Sequence, residues 1–522
     1  MRLKIFVLLA VMISSVSLMS FSQKKDETVE EFVSKMTIED KIGQMMMTGI
    51  SGNDAGNNNS YSIIKKYRLG GIILFGYNIG DAGKLKRFTS AMQKNSVDLT
   101  GIPLFISTDQ ESGLVVRIKD GVTQFPGTIA SGSADDPALT KKAAYHLGMQ
   151  MKSLGLNMNL APVADINNNP DNPVINVRSF GSDPEKVSAQ VKAYVEGLQS
   201  AGCAAVVKHF PGHGNTSKDS HKVLPEINSS IEEIKNFELK PFRAAIDSDV
   251  SSFMTAHISY PKVLNSYEPA TFSEFFLKKI LRDEMKYKGL VFTDDLEMGA
   301  LSQHMTIGQS AVKAVKAGVD ILLTTSSRAD QIFYALCNSV KKGDIPESRI
   351  DESVIRIIRA KRKFCNADSN SDYIFPNAEA DEVNRIISEK ALYLYCKNSF
   401  TEIKDDKTII VSDNAYFNSL FPTENFTVMT PSRFFSSNMS GRKIYVYSHS
   451  VNKNLMDGII RLSGKNAVIF VYSGNPFLFS KFKQHPATLF MLSNTNASFT
   501  AAAYFIKGQI KVKTECPINF GF

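Results

Sequence analysis

Apolar runs and amphipathic segments alternate along the first two thirds of the chain. Segments with helical spacing separate the apolar runs, and the clearest cover residues 84–95, 137–154, 188–201 and 230–248. Eight apolar runs have the length of strands: residues 42–50, 71–75, 104–109, 156–165, 204–210, 252–258, 290–295 and 319–324. Strands that alternate with helices are typical of a parallel sheet covered by helices.

The number of strands favours one α/β architecture over another. An open doubly wound sheet uses the same alternation, so the alternation alone does not decide between them. Eight strands, in a segment longer than the roughly 250 residues typical of the fold, favour a (β/α)8 TIM-type barrel. The sequence therefore predicts an α/β protein with a (β/α)8 catalytic barrel over residues 28–366.

A second, smaller domain is predicted after the barrel. Residues 367–379 are polar and rich in turn-forming residues, so we place a linker there. A helix is predicted at residues 381–396, and strands are predicted at 408–412, 444–447, 467–472 and 488–492. Residues 380–522 are therefore expected to form an α/β sandwich domain, and they carry no recognisable chemical motif.

The N-terminus has the layout of a secretory signal peptide. Arg2 and Lys4 precede an apolar run at residues 5–19, and a charged segment begins at Lys24. A retained membrane anchor is the alternative, but the run is shorter than the ~20 residues that span a bilayer. We expect cleavage after Ser22, no membrane attachment afterwards, and a periplasmic or secreted protein.

Composition narrows the classes of function. Hydrophobic residues make up 43% of the 522 residues and charged residues 21%, which is typical of a globular protein. The net charge of +8 is small for this length and spread along the chain, which argues against a nucleic-acid partner. The five cysteines form no C-x-x-C pair, so a cysteine zinc site is not indicated.

Polar residues follow several predicted strands at the point where each strand ends. Asp109, Lys208, His257 and Asp294 all lie at such positions. In a barrel the carboxyl ends of all strands face one rim, where the βα loops build the active site. We therefore expect these side chains to surround one pocket.

One loop is unusually rich in histidine. Three of the eight histidines fall in residues 208–221, KHFPGHGNTSKDSH, and Asp219 lies two residues before His221. Across a turn, the carboxylate could hold the imidazole in one tautomer and stabilise its charged form. The pair predicts a general acid/base dyad that donates a proton to a leaving group and later accepts one from water.

Three other interpretations of this loop remain open. The loop contains ligand types suited to a metal, but its spacing matches no metal motif and Lys208 would repel a cation. A phosphate cradle would need Walker spacing, which the G-H-G segment lacks. The histidines could also be ordinary solvated loop residues, which are common. Three in one loop is nevertheless more than an even distribution of eight histidines over the chain would give.

A carboxylate that could act with the dyad follows the seventh predicted strand. In VFTDDLEM, Asp294 falls at the strand end, and Asp295 is expected to cap the next helix. A carboxylate facing an imidazole acid across a sugar ring would suit double displacement at an anomeric carbon. A helix-capping role for Asp294 remains the alternative.

Four motifs together resemble glycoside hydrolase family 3, and within it the β-N-acetylglucosaminidase branch. They are TDQESG, NLAPVADIN…NPVINVRSFG, KHFPGHG…DSH and VFTDDLEMGA. The resemblance covers residues 30–365 and continues more weakly to residues 517–519. It departs at Glu111-Ser112-Gly113-Leu114, where the family often has E-G-G-R.

The resemblance implies a role for each matching position. Asp294 would be the nucleophile, His221 held by Asp219 would be the general acid/base, and Asp109 would bind sugar hydroxyls. The remaining residues of the implied sugar site are Arg117, Arg178, Lys208 and His209.

The resemblance also implies an activity. It suggests an exported, retaining exo-β-N-acetylglucosaminidase that acts on cell-wall fragments or chitin-type oligosaccharides and needs no metal or organic cofactor. A family 3 β-glycosidase or a glycoside phosphorylase on another sugar is the alternative, because an imidazole would tolerate an incoming phosphate better than a carboxylate would. A non-catalytic carbohydrate-binding protein is the alternative from another class.

Overall fold

The computed structural model describes residues 27–56, 58–324, 328–365, 373–396, 408–437, 439–482, 484–515, 518 and 520. The predicted signal peptide and residues 367–372 of the predicted linker lie outside the described residues. None of the described helices is both long and apolar enough to cross a membrane.

Eight parallel strands form the first sheet, in the order β7-β6-β5-β4-β3-β2-β1-β8. They are β1 (Met46–Gly49), β2 (Gly71–Ile73), β3 (Phe105–Thr108), β4 (Met158–Asn159), β5 (Ala204–Phe210), β6 (Ser252–Thr255), β7 (Leu290–Phe292) and β8 (Leu322–Thr324). A parallel bridge between Phe292 and Ile321 joins β7 to the chain that enters β8. The sheet is thus a nearly closed barrel, and the predicted fold class is confirmed.

Helices surround the barrel and bury its outer face. They are α1 (Val29–Ser34), α2 (Ile38–Gln44), α3 (Asn58–Tyr67), α4 (Ala82–Thr100), α5 (Thr128–Ala134), α6 (Pro137–Ser153), α7 (Pro184–Ser200), α8 (Ile231–Asn236), α9 (Lys240–Ile246), α10 (Pro261–Leu264), α11 (Gly299–Ser302), α12 (Ile307–Ala317), α13 (Ala329–Lys341) and α14 (Glu347–Phe364), with a π-helix at Phe275–Glu284. Apolar side chains of strands and helices form one continuous core. A closed, well-packed barrel holds its strand ends, and hence the loops after them, at fixed positions.

The second sheet has six strands in the order β11-β10-β12-β13-β14-β9. They are β9 (Tyr393–Tyr395), β10 (Thr408–Val411), β11 (Phe426–Met429), β12 (Lys443–Ser448), β13 (Ala467–Tyr472) and β14 (Thr488–Phe490). Its helices are α15 (Ala378–Ala391), α16 (Ala415–Ser419), α17 (Pro431–Phe435), α18 (Lys453–Ser463) and α19 (Asn496–Ile506). Strand β9 pairs antiparallel with β14 and the other strands are parallel. Separate apolar clusters cover the two faces of this sheet.

The C-terminal domain packs against α5 of the barrel. The apolar cluster on one face of its sheet includes Ile129 and Ala130 of that helix. The Ser133 hydroxyl donates to the Ala391 carbonyl at 3.1 Å, and the Lys513 ammonium donates to the Ser133 carbonyl at 2.8 Å. Apolar contacts and hydrogen bonds therefore join the two domains.

Several predicted strands are shorter than expected, most of all the one predicted at 156–165, which covers only Met158–Asn159. Three other elements were wrong in type or extent, each for a local reason. Residues 42–50 are not all strand, because Thr37 caps α2 by accepting the Asp40 amide, and the helix continues to Gln44. Residues 230–248 form two helices, because a proline in the first turn of α9 starts a new helix after α8. The helix predicted at 381–396 ends at Ala391, and β9 follows it.

Candidate active site

The residues predicted for the site meet at the carboxyl-end rim of the barrel. Asp109 follows β3, Lys208 and His209 lie in β5, and Asp294 follows β7. These four side chains, with those of Arg117, Arg178 and His221, line one cavity of about 300 Å³. Asp219 lies behind His221 and contacts its imidazole.

An ion network forms the base of this cavity. The Lys208 ammonium lies 2.7 Å from Asp109 Oδ1 and 2.8 Å from Glu111 Oε1. Arg178 donates to both Glu111 oxygens at 2.8 Å, while Arg117 Nη2 lies 4.0 Å from Asp109 Oδ2. Two cations are thus fixed by a buried carboxylate, and Asp109 keeps part of its carboxylate exposed to the cavity.

Neighbouring charges outweigh burial in this network. Burial would raise the pKa of Glu111, but Arg178 and Lys208 hold that pKa far below its usual value. Burial would lower the pKa of Lys208, but Asp109 and Glu111 raise it above the usual value. Glu111 and Lys208 therefore carry their charges at neutral pH, and these charges hold the hydrogen-bonding groups at the base of the cavity in place.

Sequence reasoning assigned no role to Asp165, which orients His209. The carboxylate is buried; its Oδ2 lies 2.7 Å from His209 Nδ1, and its Oδ1 accepts the His213 amide at 2.7 Å. Burial would raise the pKa of Asp165, but His209 holds it below the usual value. Because Nδ1 is engaged, Nε2 is the ring nitrogen that His209 can offer to the cavity.

Asp294 is half-buried at the cavity wall and is kept ionised by its surroundings. Its Oδ1 accepts the Asp295 amide at 2.8 Å. Burial would raise the pKa of Asp294, but the imidazoles of His209 and His257 and the Lys208 ammonium hold it below the usual value. An ionised carboxylate beside a sugar-sized cavity is suited to act as a nucleophile.

Neither Asp294 nor Asp295 caps the helix that follows them. Helix α11 begins only at Gly299, and its N-cap residue, Met298, makes no side-chain cap. Asp295 was expected to cap that helix; instead its Oδ1 accepts the Glu297 amide at 3.0 Å in the preceding turn. The prediction for Asp295 was wrong because the chain makes an extra turn before the helix begins.

Asp219 and His221 form the predicted pair. The Asp219 Oδ1 lies 2.9 Å from His221 Nδ1 and also accepts the His221 backbone N–H at 2.9 Å. Burial would raise the pKa of Asp219, but these hydrogen bonds and the nearby imidazole hold it below the usual value. The His221 side chain is 63% exposed, so its other nitrogen is accessible from the cavity.

The segment that carries the dyad rests on the helix after Asp294. The Gly299 amide donates to the His221 carbonyl at 3.1 Å, and the Ala300 amide donates to the Ser220 carbonyl at 3.2 Å. These are first-turn amides of α11, which have no partner within the helix. The same contacts tie the segment that carries the dyad to the segment that follows Asp294, and both segments line one cavity.

The third histidine of the loop, His213, contacts the residue that precedes His221. His213 is buried, and its Nε2 lies 3.0 Å from the Ser220 hydroxyl. Burial lowers the pKa of His213 to about 4, so the ring is neutral at physiological pH. Among the described residues, no group of three or more His, Cys, Asp or Glu is arranged to hold a metal ion.

The barrel and the groups around this cavity define the class of protein. Glycoside hydrolysis uses a proton donor and a carboxylate on either side of the scissile bond, and His221 and Asp294 line one cavity at the barrel rim. Residues 37–360 match the model described as "Glycosyl hydrolase family 3 N terminal domain". The chain is a glycoside hydrolase and belongs to family 3.

Individual relatives agree with this assignment. The chain is 33% identical over 377 residues to Beta-hexosaminidase A of Pseudoalteromonas piscicida, covering 68% of this chain and 62% of the relative. It is 33% identical to the Beta-hexosaminidase of Idiomarina loihiensis, covering 56% of this chain and 84% of that protein. The solved structure of a family 3 beta-N-acetylglucosaminidase from Paenibacillus sp. str. FPU-7 is 32% identical, with a TM-score of 0.84, covering 93% of this chain and 99% of the other.

Proposed function

We propose that this protein is an exported, retaining exo-β-N-acetylglucosaminidase that acts through a covalent intermediate on Asp294. The observation that carries the proposal is the shared cavity: the Asp294 carboxylate and the Asp219-held imidazole of His221 both line it. The relatives named beta-hexosaminidase and the similar beta-N-acetylglucosaminidase structure support a 2-acetamido sugar as substrate.

The base of the cavity would hold the terminal sugar. The free part of the Asp109 carboxylate would accept hydrogen bonds from two sugar hydroxyls, and Lys208 and Arg117 would donate to neighbouring oxygens. Because Asp109 and Glu111 already hold the Lys208 ammonium, little ordering of that group is needed when the sugar binds. The anomeric carbon would then lie between Asp294 and His221.

The first step would transfer the sugar to the enzyme. A carboxylate oxygen of Asp294 attacks the anomeric carbon as the glycosidic C–O bond breaks. Protonated His221 gives its Nε2 proton to the departing oxygen, so the leaving group departs as an alcohol. The ionised state of Asp294, maintained by His209, His257 and Lys208, is the form that this attack requires.

The second step would release the sugar with retained configuration. Neutral His221 removes a proton from water, the resulting oxygen nucleophile attacks the anomeric carbon, and Asp294 departs as a carboxylate. Asp219 holds Nδ1 throughout, so the same Nε2 donates in the first step and accepts in the second. Two displacements on one carbon restore the original β configuration.

The setting of the reaction rests on the N-terminal segment. Its predicted signal peptide supports export to the periplasm or beyond, where cell-wall fragments and chitin-type oligosaccharides offer terminal β-linked N-acetylglucosamine. The mechanism involves no metal or organic cofactor.

Hydrolysis of p-nitrophenyl glycosides tests the proposal. A panel of sugars should give the highest kcat/KM for the N-acetylglucosaminide, and Asp294→Ala should lower that value at least about 10³-fold because the covalent step is lost. Asp283→Asn changes an exposed carboxylate and is the matched control, expected to retain wild-type turnover. Unchanged turnover of Asp294→Ala would refute the nucleophile assignment.

Product analysis with added phosphate addresses the alternative activity. A hydrolase should release free N-acetylglucosamine at the same rate with and without phosphate. Formation of a sugar 1-phosphate as the main product would instead identify a glycoside phosphorylase.

A further inference from the structure

A second cavity of about 520 Å³ lies between the barrel rim and the C-terminal domain. Its barrel wall is formed by Leu114 and by the loop segment 170–177, and its other wall by residues of the C-terminal domain. No predicted catalytic or sugar-binding side chain lines it. It is larger than the cavity that contains Asp294.

The C-terminal wall is formed at the carboxyl ends of three adjacent parallel strands. His449 follows β12, Ser473 follows β13, and Ser493 lies just beyond β14. In open α/β sheets, ligands bind in crevices at the carboxyl ends of the strands. The edge of the second sheet at which such ligands bind therefore faces the rim loops of the barrel.

The two cavities are neighbours along the same loops. Val174 lines both of them. In the turn after β3, Glu111 lines the active-site cavity and Leu114 the second cavity. Asn172 fixes the dividing loop by donating to the His213 and Gly214 carbonyls at 2.8 and 2.9 Å. A molecule that extends from the active-site cavity past Val174 would enter the second cavity.

The lining suits a neutral saccharide. Leu114 is 73% exposed and, with Leu478, offers apolar surface, while Asn494 offers an amide. Lys481 and Asp171 add one charge of each sign, so the cavity has no strong preference for an ion. A pyranose presents apolar C–H faces and a rim of hydroxyls, which matches a lining of mixed apolar and polar groups.

One buried polar atom points to a hydrogen-bonding ligand. Ser493 is 7% exposed and lines the cavity, yet its hydroxyl has no hydrogen-bond partner among the described residues. Buried hydroxyls are normally paired, so an unpaired one at a cavity wall is available to a ligand.

We propose that this cavity binds the leaving-group saccharide of the substrate, an inference that rests on the proposed function. The C-terminal domain would then select the oligosaccharide, while the barrel performs the chemistry on the terminal sugar. Lys481, Ser493 and Asn494 would be residues that determine specificity, and they would not contact the reacting atoms.

The test compares two substrates that share the terminal sugar and differ in the leaving group. A β-1,4-linked N-acetylglucosamine trisaccharide has a disaccharide leaving group, which would enter the second cavity under this proposal, whereas p-nitrophenol is a single ring. The double variant Lys481→Ala/Asn494→Ala should lower kcat/KM for the trisaccharide about tenfold relative to the aryl glycoside, as the loss of two hydrogen bonds implies. Its turnover of the aryl glycoside should stay within about twofold of wild type.

Lys465→Ala removes an exposed lysine that does not line the cavity, and it should leave both values unchanged. Ser493→Tyr, which fills the cavity, should reduce trisaccharide cleavage further while the aryl glycoside is still hydrolysed. If the double variant keeps the wild-type ratio between the two substrates, the leaving-group assignment is overturned although the proposed function stands. A wild-type enzyme inactive on both substrates would overturn the proposed function itself.

Discussion

The three histidines of residues 208–221 differ in role because their surroundings differ. His209 is bonded through Nδ1 to buried Asp165, and His213 is buried with a pKa of about 4. His221 is 63% exposed and is held by Asp219. Of the three, His221 is therefore the one placed to exchange a proton with substrate and water.

Removing the proton donor should slow poor leaving groups most. His221→Ala should lower kcat/KM about 10²- to 10⁴-fold for an alkyl or disaccharide N-acetylglucosaminide, since those leaving groups need a proton. Activated aryl glycosides, which depart as stable anions, should be affected far less. His304→Ala changes an exposed histidine away from the cavity and serves as control. Equal slowing of both substrate types would argue against the acid role.

At the scale of single residues, the sequence predicted the cavity-lining residues that lie in motifs. It missed the buried carboxylates that hold those residues in place. Asp294, His221 and Asp109 all line the predicted cavity. Asp165 is the last residue of a predicted strand, and Glu111 lies in the TDQESG motif, but the sequence assigned neither of them a role in the site. Each carries a buried charge whose partner comes from a distant part of the sequence, so its role is visible only in the folded structure. For Asp165, the available signal was a carboxylate at the end of a predicted strand.

At the scale of elements, the start of α11 controls where the dyad lies. Two of its first amides bind the carbonyls of Ser220 and His221, and the Gln303 side chain donates to the Lys222 carbonyl at 2.7 Å. A Cβ on Gly299 would lie 2.6 Å from the His221 carbonyl oxygen, so only glycine permits this approach. The short helix therefore fixes the position of the segment that carries Asp219 and His221.

Adding one methyl group at this contact should displace the dyad. Gly299→Ala should lower kcat about 10- to 100-fold for substrates with poor leaving groups, because a shift of about 1 Å in a reacting group has that effect. The decrease in kcat should be smaller for activated aryl substrates. Gly464→Ala, at a glycine whose Cβ would meet nothing closer than 3.5 Å, is the matched control. Wild-type kcat on both substrate types would show that the contact does not position His221.

The boundaries of long apolar strands were predicted well. Boundaries that depend on helix-capping residues were predicted poorly. Strands β5 and β13 have the predicted limits. Strands β9 and β11 are short and carry partly exposed residues, so their patterns gave no clear signal. The end of α15 was overestimated because the apolar pattern continues through the turn into β9.

At the scale of the whole molecule, the carboxyl-end edges of the two sheets face each other across the second cavity. The alternation of strands and helices predicts each sheet separately. The facing of the edges depends on contacts that are distant in sequence, such as Lys390 with Asp136 at 2.6 Å and Lys513 with α5. Sequence pattern could not reveal these contacts, nor the cavity between the domains.

The opposite end of the barrel contains a buried lysine that ties α14 to the end of α2 and to the loop before β3. Lys361 donates to Gln44 Oε1 at 2.7 Å and to the Pro103 carbonyl at 2.6 Å. Burial lowers the pKa of Lys361 to about 7, and no carboxylate is among its ion-pair partners in the described residues. A neutral amine has two hydrogens, which match these two acceptors.

This lysine should make stability depend on pH. In the unfolded chain Lys361 stays protonated up to about pH 10, while in the folded chain it is neutral above about pH 7. The unfolded state therefore binds more protons between those values, and stability rises with pH there. Between pH 7 and 9 the free energy of unfolding of wild type should rise by about 2 kcal/mol relative to Lys361→Met.

Denaturant unfolding at several pH values measures this difference, with the exposed Lys342→Met as control. Parallel pH profiles for wild type and Lys361→Met would contradict the assignment of a neutral buried amine.

Trapping the covalent intermediate would show whether Asp294 is the nucleophile. Wild type and Asp294→Asn would be reacted with a slow, activated 5-fluoro N-acetylglucosaminyl substrate, quenched in acid and digested for peptide mass spectrometry. If Asp294 is the nucleophile, the wild-type peptide that contains Asp294 should carry one sugar ester, and the variant peptide should carry none. A sugar on another residue, or rapid turnover to product of inverted configuration without any adduct, would contradict it.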